Sequence, residues 1–209
     1  MRTIELFSGT KSFSKVAKKR GHSVITIDNN PSLNPGHCVD ILNMRDIKKG
    51  FDIIWASPPC TTFSIASISK HWNADPRVPK SPEAVIGMKL LEKTISTIAK
   101  SSPRYWFIEN PRGMMRKVID PLFKKYNLDY INHCITYCQY GDTRMKPTDP
   151  WTNCREWIPR PMCKNGDPCH ERAPRGAKTG TQGLKGAKER GAIPPDLFNE
   201  IFDTIEGKG

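Results

Sequence analysis

TIELFSGTKSFSKVAKKRGHSVITID, residues 3–28, holds two short apolar runs separated by a segment of helical character. Thr3 to Phe7 and Val24 to Asp28 have the length and composition of buried strands, and Ser12 to Arg20 between them is predicted to be a helix. A strand, a helix and a second strand in this order indicate a right-handed crossover between parallel strands. The segment therefore predicts the first unit of a parallel sheet.

The same alternation of strands and helices continues along the chain. We expect an α/β fold with a mainly parallel sheet, in which ligands bind at the carboxyl ends of the strands. The further runs that suit strands are Val39 to Ile41, Asp52 to Ala56, Tyr105 to Glu109 and, less regularly, Tyr130 to Cys138. The further helical segments are Val85 to Lys100, Met114 to Tyr126 and the closing helix Ile193 to Ile205.

Composition narrows the class of protein. The 209 residues are 37% hydrophobic and 26% charged, which is typical of a folded domain with a real core. No run approaches the roughly 20 apolar residues of a membrane span, and the first residues do not resemble a secretory signal, so we expect no membrane partner. Seven cysteines, an odd number, are interpreted as thiols rather than as a disulfide framework.

The net charge of +12 favours a phosphate-rich partner, with nucleic acid first and a merely soluble basic protein as the alternative. Two segments interrupt the alternation of strands and helices. Residues 61–82 are long and polar, which is typical of a functional or mobile loop. Residues 151–190 hold nine Lys or Arg against four acids, a net charge of +5, within a stretch rich in Pro, Gly and Cys. We therefore predict a core over 1–146, a basic surface insert over 147–190 and a returning segment over 191–209.

Three successive strand ends carry groups that suit a nucleoside-bearing cofactor. The first turn offers small residues that let backbone approach a ligand, and the next two strand ends offer acids that can accept from ribose hydroxyls. An ordinary tight turn and solvated carboxylates are the alternatives. The candidate cofactor residues are Phe7, Ser8, Gly9, Ser12, Asp28, Asn29, Asp40, Ile41 and Pro59.

The next two strand ends carry a candidate nucleophile and a candidate acid. Cys60 follows two prolines on a stiff loop, and Glu109 with Asn110 ends the neighbouring strand. A buried cysteine on its own is usually inert packing. A thiol and a carboxyl at adjacent strand ends can instead do covalent and proton-transfer chemistry on one substrate.

In these motifs and their order, the chain resembles the DNA cytosine-5 methyltransferase family. The likeness covers residues 1 to about 146 and 190 to 205. The motifs that carry it are Glu5-Leu-Phe-Ser-Gly9, Asp28, Asp40, Pro58-Pro59-Cys60, Glu109-Asn110-Pro111, Tyr140-Gly141 followed by Arg144, and Gly191-Ala-Ile-Pro-Pro195.

The resemblance implies a Rossmann-like methyltransferase sheet with a small Cys-rich basic insert, S-adenosylmethionine as cofactor and DNA as partner. It implies that Cys60 is the nucleophile, that Glu109 contacts the target cytosine and that Arg144 holds the base or its phosphate. Because the base must leave the stack, the 61–82 loop is the candidate to close over the DNA. The compact size looks like bacteriophage members, which implies the cytoplasm of a bacterial host and a place in restriction-modification.

Several departures from the family pattern keep alternatives open. The glutamine usual before Arg144 is missing, Lys146 replaces a second arginine, and Ala192 stands where an asparagine is common. A large target-recognition domain is also missing. The alternatives are an RNA (tRNA) cytosine-5 methyltransferase and a non-catalytic nucleic-acid-binding protein that retains the fold.

The basic insert holds a candidate metal site and candidate phosphate contacts. Cys154, Cys163, Cys169 and His170 form a set that can bind zinc, with free surface thiols and a packed histidine as the alternative. The predicted nucleic-acid contacts are Lys146, Arg155, Arg160, Arg172, Arg175 and Lys178. The sequence does not indicate the oligomeric state.

Overall fold

The first crossover unit forms as predicted. The computed structural model describes residues 1–74, 77–171 and 186–208, with only the backbone of 187 and 188. In it, β1 (Arg2–Leu6) and β2 (Ser23–Asp28) are parallel, and α1 (Ser12–Lys19) connects them. The Glu5 carboxylate accepts from the main-chain N–H groups of Phe13 and Ser14 at the start of α1. Those N–H groups have no partner inside the helix, so a strand residue caps the helix that follows it.

The sheet has the strand order β3-β2-β1-β4-β5-β8-β6, and β7 pairs with β8. Strands β1 to β5 are parallel, whereas β8 runs antiparallel to β5, β6 and β7. The α/β fold with a mainly parallel sheet is thus confirmed. The remaining strands are β3 (His37–Cys38), β4 (Ile53–Ala56), β5 (Tyr105–Pro111), β6 (Ile131–Asn132), β7 (Ile135–Thr136) and β8 (Pro147–Thr152).

Helices cover both faces of the sheet. On one face α3 (Pro82–Ser101) buries Leu91, Ile95 and Ile98, and each fully buried side chain of this kind contributes about 2 kcal/mol. On the other face Phe13 of α1 stacks on Trp55 of β4 and on Phe202 of the last helix. The other helices are α2 (Ile68–His71), α4 (Met115–Val118), α5 (Asp120–Lys125), α6 (Ala187–Gly191) and α7 (Pro195–Glu206). No helix in the described ranges is both long and apolar enough to cross a bilayer.

The predicted start of the insert at residue 147 is wrong. Residues 147–152 form β8, pair with β5 in the register Glu109↔Pro150, and are buried from Thr148 to Thr152. Two prolines hid this strand, because a proline lacks the N–H of a ladder hydrogen bond and argues against a central strand. The insert therefore begins after Thr152.

Two predicted elements are broken in the structure. The helix expected over 114–126 divides into α4 and α5, and Pro121 lies in the first turn of α5, where a proline is tolerated. The strand expected over 130–138 becomes β6, β7 and a 3-10 turn over Tyr137–Tyr140. That turn brings the Tyr137 hydroxyl to Glu109 of β5.

The 61–82 loop is anchored by aromatic side chains at both ends of its first half. Phe63 and Trp72 are buried with ring centroids 5.7 Å apart, and the Trp72 indole donates to the Thr62 carbonyl at 2.7 Å. Gly113 packs on this loop so closely that a Cβ there would lie 2.2 Å from the Phe63 carbonyl oxygen. The loop after Cys60 thus starts from a fixed position, and between its anchors Ile65 is 69% exposed.

Candidate active site

The first strand end is a strained turn held by a carboxylate. Asp28 at the end of β2 accepts from the N–H groups of Gly9 and Asn30, each at 2.9 Å. Phe7 has φ 56 and Gly9 has φ 42, and a bulky side chain in this left-handed region is rare outside functional sites. The buried Ser8 hydroxyl has no protein partner. The turn therefore brings a hydroxyl without a protein partner and a carboxyl group together at one point of the sheet edge.

The neighbouring strand end presents a second acid. Asp40 follows β3, is half-buried, and accepts from Leu42 N–H at 2.9 Å at the start of a 3-10 turn. Ile41 is buried beneath this turn, whereas Asn29 is exposed. Ser12 bonds with Thr10 and accepts from Ile193 N–H at 3.2 Å, which links the first turn to the last segment of the chain.

Cys60 lies on a loop that β5 holds in place. The Asn110 amide donates to the Pro58 carbonyl at 2.8 Å, Pro58 is buried, and Pro59 is exposed. The Asn110 side-chain oxygen is buried without a protein partner. Cys60 itself is partly exposed, so its thiol can reach a ligand.

Glu109 faces this thiol from inside β5. It is buried, and the Tyr137 hydroxyl donates to its Oε1 at 2.9 Å. Burial, followed by the charge of Glu109, raises the pKa of Cys60, whereas the charges of Lys146 and Arg190 lower it. The thiol, the carboxyl and two cations therefore share one site.

Arg144, predicted to hold the base or its phosphate, contacts protein groups in this structure. Its buried guanidinium donates to both oxygens of Asp142 and to the carbonyls of Glu189, Arg190 and Ala192. A guanidinium has five N–H donors, and these contacts use all of them. In this structure Arg144 fastens the 186–192 segment to the turn before β8 and has no donor left for a base or a phosphate.

Lys146, predicted as a nucleic-acid contact, lies beside the catalytic candidates. Its ammonium donates to the Arg190 carbonyl at 2.9 Å and lies 4.7 Å from the centre of the Tyr137 ring. Burial lowers the pKa of Lys146, and the nearby charge of Glu109 opposes that shift. The cation at the thiol is thus a residue that the sequence assigned to the DNA backbone.

Three of the four predicted metal ligands come together, and the fourth is a different cysteine. Cys138, Cys163, Cys169 and His170 place their ligand atoms within 4.8 Å of one another. Cys154 is instead buried in the core beside α7, where its Sγ lies 3.6 Å from Glu156. Burial and the Cys163 thiol raise the pKa of Cys138 to about 12 when no ion is bound.

Of the basic residues of the insert predicted to contact nucleic acid, the structure describes two, and both form ion pairs with acidic side chains. Arg155 is exposed and pairs with Asp129, whereas Arg160 pairs with Glu200 and donates to the Gln139 carbonyl at 2.6 Å. Arg172, Arg175 and Lys178 lie outside the described residues.

Sequence reasoning missed Tyr137 and Cys138. Tyr137 stands in an apolar run and has no motif of its own, because its role depends on a turn that brings it to Glu109, 28 residues earlier. Cys138 could have been considered by residue type, but it lies 25 residues before Cys163 and outside the insert. Cys154 was predicted instead because it lies in the same segment as Cys163, Cys169 and His170.

Residues 1–130 match the family model of the C-5 cytosine-specific DNA methylases. A probable DNA (cytosine-5)-methyltransferase of Frog virus 3 (isolate Goorha) is 31% identical over 224 residues, which cover 97% of this chain and 99% of the viral protein.

Solved structures share the fold at low identity. A putative DNA modification methyltransferase encoded within an E. coli prophage superposes with a TM-score of 0.51 at 16% identity, and covers 77% of this chain and 51% of its own. The Dnmt2 methyltransferase of S. pombe has a TM-score of 0.51 at 17% identity, with coverages of 73% and 50%. The Entamoeba histolytica methyltransferase EhMeth has a TM-score of 0.52 at 14% identity, with coverages of 78% and 57%. The chain spans about half the length of these three structures.

The family model extends over more than half of the residues, and the viral relative matches almost from end to end. The chain therefore belongs to the C-5 cytosine-specific DNA methylase family.

Proposed function

We propose that this protein transfers a methyl group from S-adenosylmethionine to C5 of cytosine in DNA, through a covalent bond between Cys60 and a base flipped out of the duplex. The observation that carries the proposal is the convergence of a partly exposed thiol, a buried carboxyl and a cation at two adjacent strand ends. S-adenosylmethionine-dependent methylation of cytosine is the reaction of the family.

The chemistry needs both the thiol and the carboxyl. Cytosine C5 is a weak nucleophile, so the Cys60 thiolate first bonds to C6 while Glu109 gives a proton to N3. The C5–C6 double-bond electrons then make C5 an enamine carbon that takes the methyl group. Loss of the C5 proton to solvent and cleavage of the C6–S bond form the C5–C6 double bond again and release the Cys60 thiolate, while the N3 proton returns to Glu109.

Neighbouring residues orient the two groups. The Tyr137 hydroxyl donates to Oε1 of Glu109, which leaves Oε2 to form hydrogen bonds with N3 and the amino group of the base. Asn110 fixes the Cys60 loop through Pro58 and has a buried carbonyl oxygen that can accept from the base. Lys146 favours the thiolate electrostatically, and Arg144 acts at a distance by holding the 186–192 segment over the site.

The first three strand ends fit the cofactor. S-adenosylmethionine supplies an electrophilic methyl group on a positively charged sulfur. The unpartnered Ser8 hydroxyl and the glycine at position 9 allow close approach, and the acids at two strand ends suit the ribose and adenine. The residues we assign to this site are Phe7, Ser8, Gly9, Ser12, Asp28, Asn29, Asp40, Ile41 and Pro59.

The proposed polymer is DNA. The viral relative is named for DNA, and the net charge of +12 suits a phosphate backbone. The same pocket chemistry would serve cytosine in RNA, and a fold without turnover would still bind nucleic acid. The polymers tested as substrates therefore include RNA.

The experiment combines product analysis with trapping of the adduct. The purified protein is incubated with S-adenosylmethionine and duplex DNA, single-stranded DNA or tRNA, and the nucleosides are analysed by mass spectrometry for 5-methylcytosine. A second set uses duplexes with 5-fluorocytosine, because fluorine at C5 cannot leave as a proton does and the adduct remains bound.

The matched variants are Cys60→Ala and, at an exposed thiol, Cys38→Ser. We expect 5-methyl-deoxycytidine and a trapped complex from the wild type and Cys38→Ser, and neither from Cys60→Ala. A trapped complex with Cys60→Ala would contradict the nucleophile. Product on tRNA alone would show that the substrate is RNA rather than DNA. No product on any of these polymers would favour a non-catalytic nucleic-acid-binding protein.

A further inference from the structure

Four soft ligand atoms converge between the 3-10 turn after β7 and the insert. The Sγ atoms of Cys138 and Cys163 are 3.1 Å apart, and those of Cys169 and Cys138 are 3.6 Å apart. Nδ1 of His170 lies 3.7 Å from the Cys163 sulfur and 3.6 Å from the Cys169 sulfur. These atoms surround one point.

The distances are those of a tetrahedral zinc site. Zinc–sulfur bonds of about 2.3 Å and zinc–nitrogen bonds of about 2.0 Å place tetrahedral ligand atoms about 3.5–3.8 Å apart. Three of the four separations given above, 3.6–3.7 Å, fall in this range, whereas the Cys138 and Cys163 sulfur atoms, 3.1 Å apart, would have to separate slightly to bind the ion. A disulfide needs sulfur atoms about 2.05 Å apart, so the cysteines do not form one here.

We propose that Cys138, Cys163, Cys169 and His170 bind one zinc ion as a structural site. Three thiolates and an imidazole are a donor set that zinc prefers, and four protein ligands leave no open position for a substrate. The Gln139 amide donates to the Cys169 sulfur at 3.4 Å, which is the outer hydrogen bond expected for a metal-bound thiolate.

The chain around the site needs such a fastening. Among residues 158–171, Cys163 alone is buried, so this stretch has almost no core of its own. Its described protein contacts include the Cys163 N–H to Thr136 and the Glu171 N–H to the Thr143 carbonyl at 2.9 Å. A metal that joins Cys138 to Cys163, Cys169 and His170 replaces the missing apolar contacts.

Cys138 links the proposed zinc ion to the candidate active site. Cys138 follows Tyr137, whose hydroxyl donates to Glu109. The zinc therefore fastens the insert to the same turn that orients the proposed catalytic acid. It stabilises this turn without touching the base or the cofactor.

Metal content tests the proposal independently of methyl transfer. The full-length protein is purified with zinc under reducing conditions, and bound metal is counted by mass spectrometry; replacement with Co²⁺ gives the absorption bands of a tetrahedral thiolate complex. We expect about one ion per chain. The exposed or partly exposed ligands are replaced in Cys169→Ser and His170→Gln, which avoids disturbing the core.

Cys154→Ala is the matched control, because Cys154 is the predicted ligand that lies outside the cluster. We expect the control to keep its ion and the double variant Cys169→Ser/His170→Gln to lose it. Chelation should expose residues 158–171 to protease while the sheet stays intact. A metal-free wild type in zinc-containing buffer, an unchanged metal content in the double variant, or a Cys138–Cys163 disulfide in the reduced protein would overturn the proposal.

Discussion

The cofactor half, residues 1–60, and the clasp, residues 137–171 with 186–192, are built differently. In the cofactor half, parallel strands bring functional groups to one edge, and the contacts that hold them come from neighbouring strand ends, such as Gly9 N–H to Asp28. In the clasp, side chains join segments far apart in sequence, such as Arg144 to Ala192 and Cys138 to Cys163. The first half relies on backbone topology, and the second on individual charges and thiols.

This difference predicts in which of the two regions a single substitution leaves the local structure intact. A strand-end residue can be replaced and the sheet still positions its neighbours. Loss of one clasp contact frees a whole segment, because the described residues 158–171 have one buried side chain among them. Substitutions in the two halves should therefore separate cofactor binding from chemistry.

The largest effect is expected at Glu109 of β5, which lies outside the cofactor half and is contacted by Tyr137 of the clasp. Glu109→Gln keeps an oxygen to accept from Tyr137, so the fold should remain, but it removes the proton donor for N3. We expect the turnover rate to fall by about 10²–10⁴-fold with little change in cofactor affinity. Single-turnover kinetics and calorimetry measure the two quantities, and an unchanged rate would remove Glu109 from the chemistry.

A smaller and opposite effect is expected in the cofactor half. Asp28→Ala removes a charged acceptor and frees the Gly9 turn, and loss of such hydrogen bonds costs about 1.5–3 kcal/mol. We expect S-adenosylmethionine affinity to fall by about 10- to 100-fold while DNA affinity stays unchanged. Asp40→Ala should have a weaker effect, since Asp40 accepts one main-chain N–H.

The control for these acids is Asp46→Ala. Asp46 forms an exposed ion pair with Lys100 and should leave cofactor affinity unchanged. Equal losses in Asp28→Ala and Asp46→Ala would show a general electrostatic effect rather than a site.

The sequence predicted β1, α1 and β2 well because their information is local, whereas the strand expected over Val39 to Ile41 is wrong, since β3 is His37–Cys38 and Ile41–Asn43 is a 3-10 turn. The alternation of strands and helices in residues 1–60 fixes which residues reach the carboxyl edge, and Asp28, Asp40 and Cys60 all lie there. The clasp could not be predicted in the same way. The prolines of β8 hid a strand, and the partners of Arg144 and Cys138 depend on chain reversals that leave no periodic signal.

A third prediction concerns the cation that the clasp brings to the thiol. Lys146→Met removes the larger of the two charges that lower the pKa of Cys60, and leaves Arg190 to oppose burial and Glu109, which raise it. We expect the pH dependence of Cys60 alkylation to move to higher pH, since the thiolate is the reacting form. Lys100→Met, at an exposed lysine, should leave the profile in place. A profile that moves to lower pH would mean that Lys146 does not face the thiol.

The smallest effect is expected where α7 joins the two halves. Arg20 of α1 donates to Asp203 and Glu206 of α7, and His22 also contacts Glu206. The hydrogen bond from Arg20, the largest cause, lowers the pKa of Glu206 to about 2 from the usual 4.5. A carboxyl whose pKa is lower in the folded than in the unfolded chain stabilises the fold at every pH above its unfolded pKa of 4.5. This contribution is lost as the pH falls from 4.5 towards the folded pKa of about 2.

Glu206→Gln should therefore lower the free energy of unfolding at pH 7 by about 1 kcal/mol, the upper range for partly exposed ion pairs. The difference between wild type and variant should shrink as the pH falls below 4.5, because the wild-type carboxyl then becomes protonated. Urea unfolding at several pH values measures this, with Asp46→Asn as an exposed control whose effect is smaller. If the Glu206→Gln difference stays constant with pH, shape rather than charge holds α7 against α1, and the joint between the two halves is apolar, through Phe13 and Phe202.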